Sequence, residues 1–212
     1  MCKYLYCYKM THDDGFAPNP YHGVLTLATC KPTIRRCAEK DYWISGWTSN
    51  EVQGKTDKFY FTDENQMLIY LARVTNIITI EEYWERYKCK RPQKILNGKA
   101  ATTNSCSGKK DKCGYDMGDN IYKPIKGKEN EFEQLPNGGG HGKNDQEHDL
   151  SGKNVLICEE FYYFGVEQAL EIKNKGFVVP RCKKIPSDAE EAKNVIDYVK
   201  NNCSKALYYK EK

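Results

Sequence analysis

The chain has 212 residues and 24.5 kDa, enough for a real hydrophobic core but not for two full domains. Hydrophobic residues make up 39% and charged residues 29%, a balance that excludes disorder along the whole chain. The net charge of +4 is too mild to indicate nucleic-acid binding by itself, and no apolar run approaches the roughly 18 residues of a membrane-spanning helix.

From Lys3 to Met10, Tyr4, Tyr6 and Tyr8 alternate with Leu5 and Cys7, the period of a strand. Thr11 to Pro20 follows as a loop stiffened by Pro18 and Pro20. Val24 to Thr29 reads as a second strand, and Pro32 opens a short helix carrying Ile34, Cys37 and Ala38 on one side, with Arg35 and Arg36 nearby. Tyr42 to Gly46 and Met67 to Thr75 are further strands joined by a long polar connection. Thr79 and Glu82 form a capping box for a helix ending near Tyr87.

Asn97 to Asp119 and Lys126 to Ser151, the second containing Gly138-Gly139-Gly140, lack periodicity and read as long loops. Asn154 to Cys158 and Phe161 to Phe164 are late strands, followed by a helix over Val166 to Asn174 that stops at Gly176. A last helix, capped by Ser187 with Glu190, carries the stripe Ala189, Ala192, Val195, Ile196 and Val199. Strands and short helices without regular alternation predict an α+β fold, with a mixed, curved or barrel-like sheet and peripheral helices.

The ten cysteines read as reduced thiols in a cytosol, because no apolar leader accompanies them. Their closest pairs, Cys2/Cys7, Cys30/Cys37 and Cys106/Cys113, are too wide for a zinc knuckle, so neither metal nor cofactor is expected. Gly138 to Gly142 lacks the preceding strand and following helix of a phosphate loop, and ordinary loop flexibility explains these glycines.

Lys31, Arg35 and Arg36 around a helix start suit a phosphate or carboxylate; a solvated basic face explains them equally well. Asn19 offers a donor and an acceptor to a base edge, or else an Asx turn. Asp119 and Asn120 bring polar groups to one irregular segment and His148 with Asp149 to the other, where imidazole acts as base or donor if it is not simply a surface residue. Trp43, Trp47, Tyr162, Tyr163 and Phe164 supply stacking faces or core.

The run Asp14-Gly15-Phe16-Ala17-Pro18-Asn19-Pro20-Tyr21, followed by Thr26-Leu27-Ala28-Thr29-Cys30-Lys31-Pro32 and Ile34-Arg35-Arg36, resembles the nucleotide modification associated domain of type 2. Asp41-Tyr42-Trp43-Ile44, Leu68 to Thr75, Glu82-Tyr83-Trp84, Gly118 to Tyr122, His148-Asp149, Val155-Leu156-Ile157 and Phe161 to Gly165 continue the resemblance. It covers residues 3–165, with 166–212 as a helical extension packed on the same domain. The family is named for phage and bacterial gene neighbourhoods concerned with modified nucleotides. Its strand pattern is similar to PUA-like folds that hold modified bases.

The resemblance implies a nucleotide-related role without fixing a reaction. The first expectation is a binder of a modified base in nucleic acid or of a free nucleotide, with a phage sponge for a nucleotide immune signal as one form of it. Lys31, Arg35 and Arg36 then hold phosphate, Asn19, Tyr21, Asp119 and Asn120 line the pocket, and Tyr163 stacks. The alternative is a nucleotide- or nucleobase-modifying transferase or hydrolase with His148, Asp149 and Asp119 as candidate acid and base residues. A protein-interaction module is a third reading. In each, the expected setting is a cytoplasm, a host's if phage-encoded, with no membrane partner.

Overall fold

The computed structural model describes residues 3–96, 99–100, 114–173 and 176–203, so most of the Asn97 to Asp119 loop lies outside the described residues. In chain order the strands begin with β1 (Tyr4–His12), β2 (Leu25–Leu27), β3 (Trp43–Gln53), β4 (Lys58–Tyr60), β5 (Leu68–Arg73) and β6 (Asn76–Thr79). They continue with β7 (Ile95–Leu96), β8 (Lys99–Ala100), β9 (Tyr122–Pro124), β10 (Phe132–Gln134), β11 (Asn154–Cys158), β12 (Glu160–Tyr163) and β13 (Cys182–Pro186). The helices are α1 (Pro32–Cys37), α2 (Ile80–Arg86), α3 (Lys143–Leu150) and α4 (Glu190–Asn202). This is an α+β chain with mixed strand pairing and few, mostly short helices.

The chain passes back and forth between two compact units, one drawn from 1–13, 39–75 and 158–208, the other mainly from 14–38 and 76–157. The first unit is a sheet ordered β12-β5-β3-β1-β13, with β4 paired to β3. β1 and β3 run parallel, Leu5 opposite Trp43, while β13 lies antiparallel on the other side of β1. Alternation in β1 sends Leu5 and Cys7 into a core with Trp47, Leu71, Ile185 and the α4 residues Ala192, Val195 and Val199. The β13 and α4 segments of 166–212 thus belong to this unit.

The second unit pairs β2 and β6 on either side of β11, and β9 with β10. Its core gathers Phe16, Tyr21, Ile78, Tyr83, Ile121, Tyr122 and Ile157. Helix α2 starts as its sequence dictates: Thr79 Oγ1 accepts from Glu82 N at 3.1 Å and Glu82 Oε2 accepts from Thr79 N at 3.0 Å.

Several expectations need correction. The described strands form no closed barrel, because β12 and β13 end an open order, and the PUA-like likeness gains no support from it. The helix expected over Val166 to Asn174 is a single 3-10 turn, Val166–Gln168. Helix α4 starts at Ala189 without a side-chain cap, so Ser187 is not its N-cap. Helix α3 lies inside a segment read as loop. No helix among the described residues is long and apolar enough to cross a membrane.

Candidate functional site

Two networks of buried polar groups organise the second unit. The first surrounds Lys90, whose fully buried ammonium donates to Asn19 O at 3.0 Å, Asn19 Oδ1 at 2.7 Å and Val24 O at 2.7 Å. Asn19 Nδ2 in turn donates to Met117 O at 2.7 Å, and Tyr21 N reaches Asn19 Oδ1 at 3.4 Å, as in an Asx turn. Nearby, Asp119 accepts from Thr26 Oγ1 at 2.7 Å and from Tyr83 OH at 2.6 Å. Burial pushes this carboxyl up, against the pull of Lys90, Tyr83 and Thr26. Asn120 Nδ2 donates to the carbonyls of Tyr83 and Tyr87, each at 3.0 Å.

Asn19, Tyr21, Asp119 and Asn120 are thus buried; the side chains of Asn19 and Asp119 and the Nδ2 of Asn120 bond to internal partners, while Asn120 Oδ1 is buried without one. In this conformation their bonded groups join loops to helix α2 and its following turn. Tyr163 lies in the other unit, where its buried hydroxyl donates to Asp13 Oδ1.

The second network is centred on Asp149, near the end of α3. Its Oδ1 accepts from Cys30 N at 2.7 Å, and its Oδ2 accepts from Tyr122 OH at 2.8 Å and from His141 Nδ1 at 2.7 Å. The opposite ring nitrogen, His141 Nε2, lies 3.5 Å from Cys30 Sγ. Sulfur, imidazole and carboxylate therefore form one hydrogen-bonded chain. Cys30 is a free, half-buried thiol, while Asp149 is fully buried.

Arg35 fixes the frame around these groups. Fully buried, it donates through Nε to Cys30 O at 2.9 Å, through Nη1 to Ala28 O and Asn154 O, and through Nη2 to Asp149 O. Burial draws its guanidinium down to about 10, with Asp149 working the other way, so it stays charged at neutral pH. Arg36 is exposed and donates to Ser151 O at 2.6 Å, whereas Lys31 is half-buried at φ 41° and its carbonyl accepts from Arg35 N. Of the three cations expected at a phosphate, Arg35 is thus wholly internal.

His141 is held by its own loop. Asn137 donates Nδ2 to His141 O at 2.9 Å and accepts His141 N at 3.1 Å on Oδ1. Phe16 packs its ring 4.9 Å from the imidazole, and a Cβ on Gly139 would meet that phenyl ring at 2.2 Å. This glycine is required by close packing, not by loop flexibility, and a helix does follow Gly142. Burial opposes the charge on His141, but bonding to Asp149 and Cys30 outweighs it and raises the imidazole to about 10. For Asp149, burial raises the carboxyl, yet His141, Cys30 N and Tyr122 together hold it below its ordinary value. An imidazolium facing sulfur on one side and carboxylate on the other can carry a proton for a thiol nucleophile.

The same three residues offer sulfur, nitrogen and oxygen donors within 4.8 Å of one another, a set that the cysteine spacing did not reveal. His141, however, directs its two nitrogens to two different residues, so an ion shared by all three would replace at least one contact of the chain. His148 is exposed, its carbonyl accepting from Ser151 Oγ at 2.7 Å, and the imidazole bonded to Asp149 belongs to His141. Sequence reasoning placed Asp149 among the candidates but missed Cys30 and His141. Their signals were a cysteine immediately before the Lys31-Pro32 helix start and a histidine enclosed by glycines.

The fold and this site define an α+β domain that presents a cysteine beside a half-buried histidine and a buried aspartate. Residues 2–208 match the family described as nucleotide modification associated domain 2, Nmad2, and the chain belongs to it. That membership makes its role nucleotide-related and extends the likeness beyond residue 165. No curated protein and no solved structure matches the chain.

Proposed function

We propose that the chain is a nucleotide-modifying enzyme with Cys30 as nucleophile, His141 as proton carrier and Asp149 as the group that orients His141. One observation carries this reading: the continuous chain of Cys30 Sγ to His141 Nε2 at 3.5 Å and His141 Nδ1 to Asp149 Oδ2 at 2.7 Å. The acid–base alternative is favoured over the binder because the groups assigned to base reading are engaged inside the protein. It acquires a nucleophile and a different histidine.

In the first step the thiol proton resides on Nε2 and sulfur attacks an electrophilic carbon of the nucleotide. The S–C bond forms as the bond from carbon to the leaving group breaks, and that group takes the proton from Nε2. Water then adds at the same carbon, giving its proton to Nε2 while the S–C bond breaks and the electron pair returns to sulfur. Tyr122 OH and Cys30 N keep the carboxylate aimed at Nδ1 throughout.

The test uses the full chain with a mixture of deoxynucleotides and intact-protein mass spectrometry. A mass increment on Cys30, lost in Cys30→Ser and diminished in His141→Ala, is the expected result. Iodoacetamide should also label Cys30 ahead of the exposed Cys89, and this preference should vanish in His141→Ala. Unchanged labelling in His141→Ala, or one tightly held zinc per chain ligated through Cys30, would overturn the proposal.

A further inference from the structure

His141 also lines an open cleft of about 500 Å³ in the same unit, bordered by Phe132, Gln134, Leu135, Pro136, Lys143 and Gln146 among others. Its size lies within the range of small-molecule sites, roughly 300–1,000 Å³, and far below what a duplex occupies. Part of its lining is apolar, the half-buried Phe132 and Leu135 together with Pro136. The same lining carries the exposed ammonium of Lys143, the first residue of α3. The one carboxylate at the rim, Glu133, is already paired with Lys123 at 3.3 Å.

Gln134 adds a separate observation. Its Nε2 donates to His141 O at 3.0 Å, while its Oε1 is buried and has no hydrogen-bond partner. An unpartnered buried acceptor is unfavourable, and because Gln134 lines the cleft a ligand N–H reaching it would relieve that cost. An apolar surface, an amide acceptor and the Lys143 cation match the three parts of a nucleotide: the base face, a base edge bearing N–H, and the phosphate.

We propose that this cleft is the substrate subsite of the enzyme and takes a single nucleoside monophosphate, with its phosphate held by Lys143 and its base against Phe132, Leu135 and Pro136. The assignment rests on the thiol-nucleophile reading for its chemistry but on the cleft for its specificity. A compact occupant also agrees with the chain's mild net charge of +4, since an extended nucleic acid requires one cation per phosphate contacted.

Calorimetric titration with the four deoxynucleoside 5′-monophosphates and their parent nucleosides tests it, using full-length Cys30→Ser so that no turnover intervenes. At least one monophosphate should bind about tenfold or more tightly than its nucleoside, the scale of one charge-assisted contact. Lys143→Glu in the same background should abolish that difference while leaving nucleoside binding intact. Phe132→Ala should weaken nucleoside and monophosphate alike. Equal affinity for both, an unaltered preference in Lys143→Glu, or no binding of any of the eight compounds would overturn the subsite. The alkylation preference of Cys30 is measured without a nucleotide, so it stands or falls separately.

Discussion

Replacing Asp149 with asparagine preserves shape and removes one charge, which isolates what the carboxylate does. The wild-type carboxylate accepts three hydrogen bonds, Cys30 N on Oδ1 and His141 Nδ1 and Tyr122 OH on Oδ2. An amide has only one accepting end. Whichever way it turns, its NH2 faces one or two donors, and at about 1–3 kcal/mol for each buried group left without a partner the cost is about 2–5 kcal/mol. The pH dependence should change as well. His141 is raised from its ordinary 6.5 to about 10, so its contribution to stability is complete below about 6.5 and disappears as pH rises through 10. Asp149 is lowered, so its contribution is complete above its ordinary 3.8 and is lost as pH falls through the lowered value. Asp149→Asn should therefore be less stable at pH 7 and should lose much less stability than wild type between pH 6.5 and 10. Urea unfolding at pH steps across this window measures both effects. A variant as stable as wild type at pH 7, with the same alkaline slope, would refute the reasoning.

Two further substitutions examine the supporting structure. In Gly152→Ala the new Cβ would fall 2.3 Å from Arg35 Cζ, and Arg35 cannot yield without losing carbonyl partners, so urea unfolding should show a loss of about 1–3 kcal/mol. Lys90→Met takes the buried ammonium from Val24 O and Asn19 Oδ1, though Asn19 O keeps Thr26 N, and removes the cation that restrains Asp119, at a cost of about 3–5 kcal/mol by the same assay.

The parts of the fold that were legible in the sequence were those with local signals. The Thr79–Glu82 box, Pro32 at the first turn of α1 and the stripe Ala192, Val195, Ile196 and Val199 all appear where the residue pattern places them. Helix α3 was hidden because Lys143 to Leu150 carries no apolar stripe, and its start is held instead by Asp145 Oδ2 accepting from Gly142 N at 2.8 Å. The barrel expectation failed because strand content does not specify which edges meet. For the candidate site, Asp149 was legible as a polar residue in an irregular segment, but its partners were not. Cys30 is 119 residues from Asp149 and 111 from His141, and no spacing rule spans such distances. Arg35 looked like a phosphate cation because sequence shows its charge but not the carbonyls that enclose it.

Strand β1 has its parallel neighbour in β3, Leu5 opposite Trp43, but its antiparallel neighbour far along the chain, Tyr4 opposite Pro186. During synthesis β1 therefore has no complete partner set until about 180 further residues have followed it. Such long-range closure slows folding and prolongs exposure of an unpaired edge containing Leu5 and Cys7. Chains ending before residue 182 should accordingly be protease-sensitive at β1.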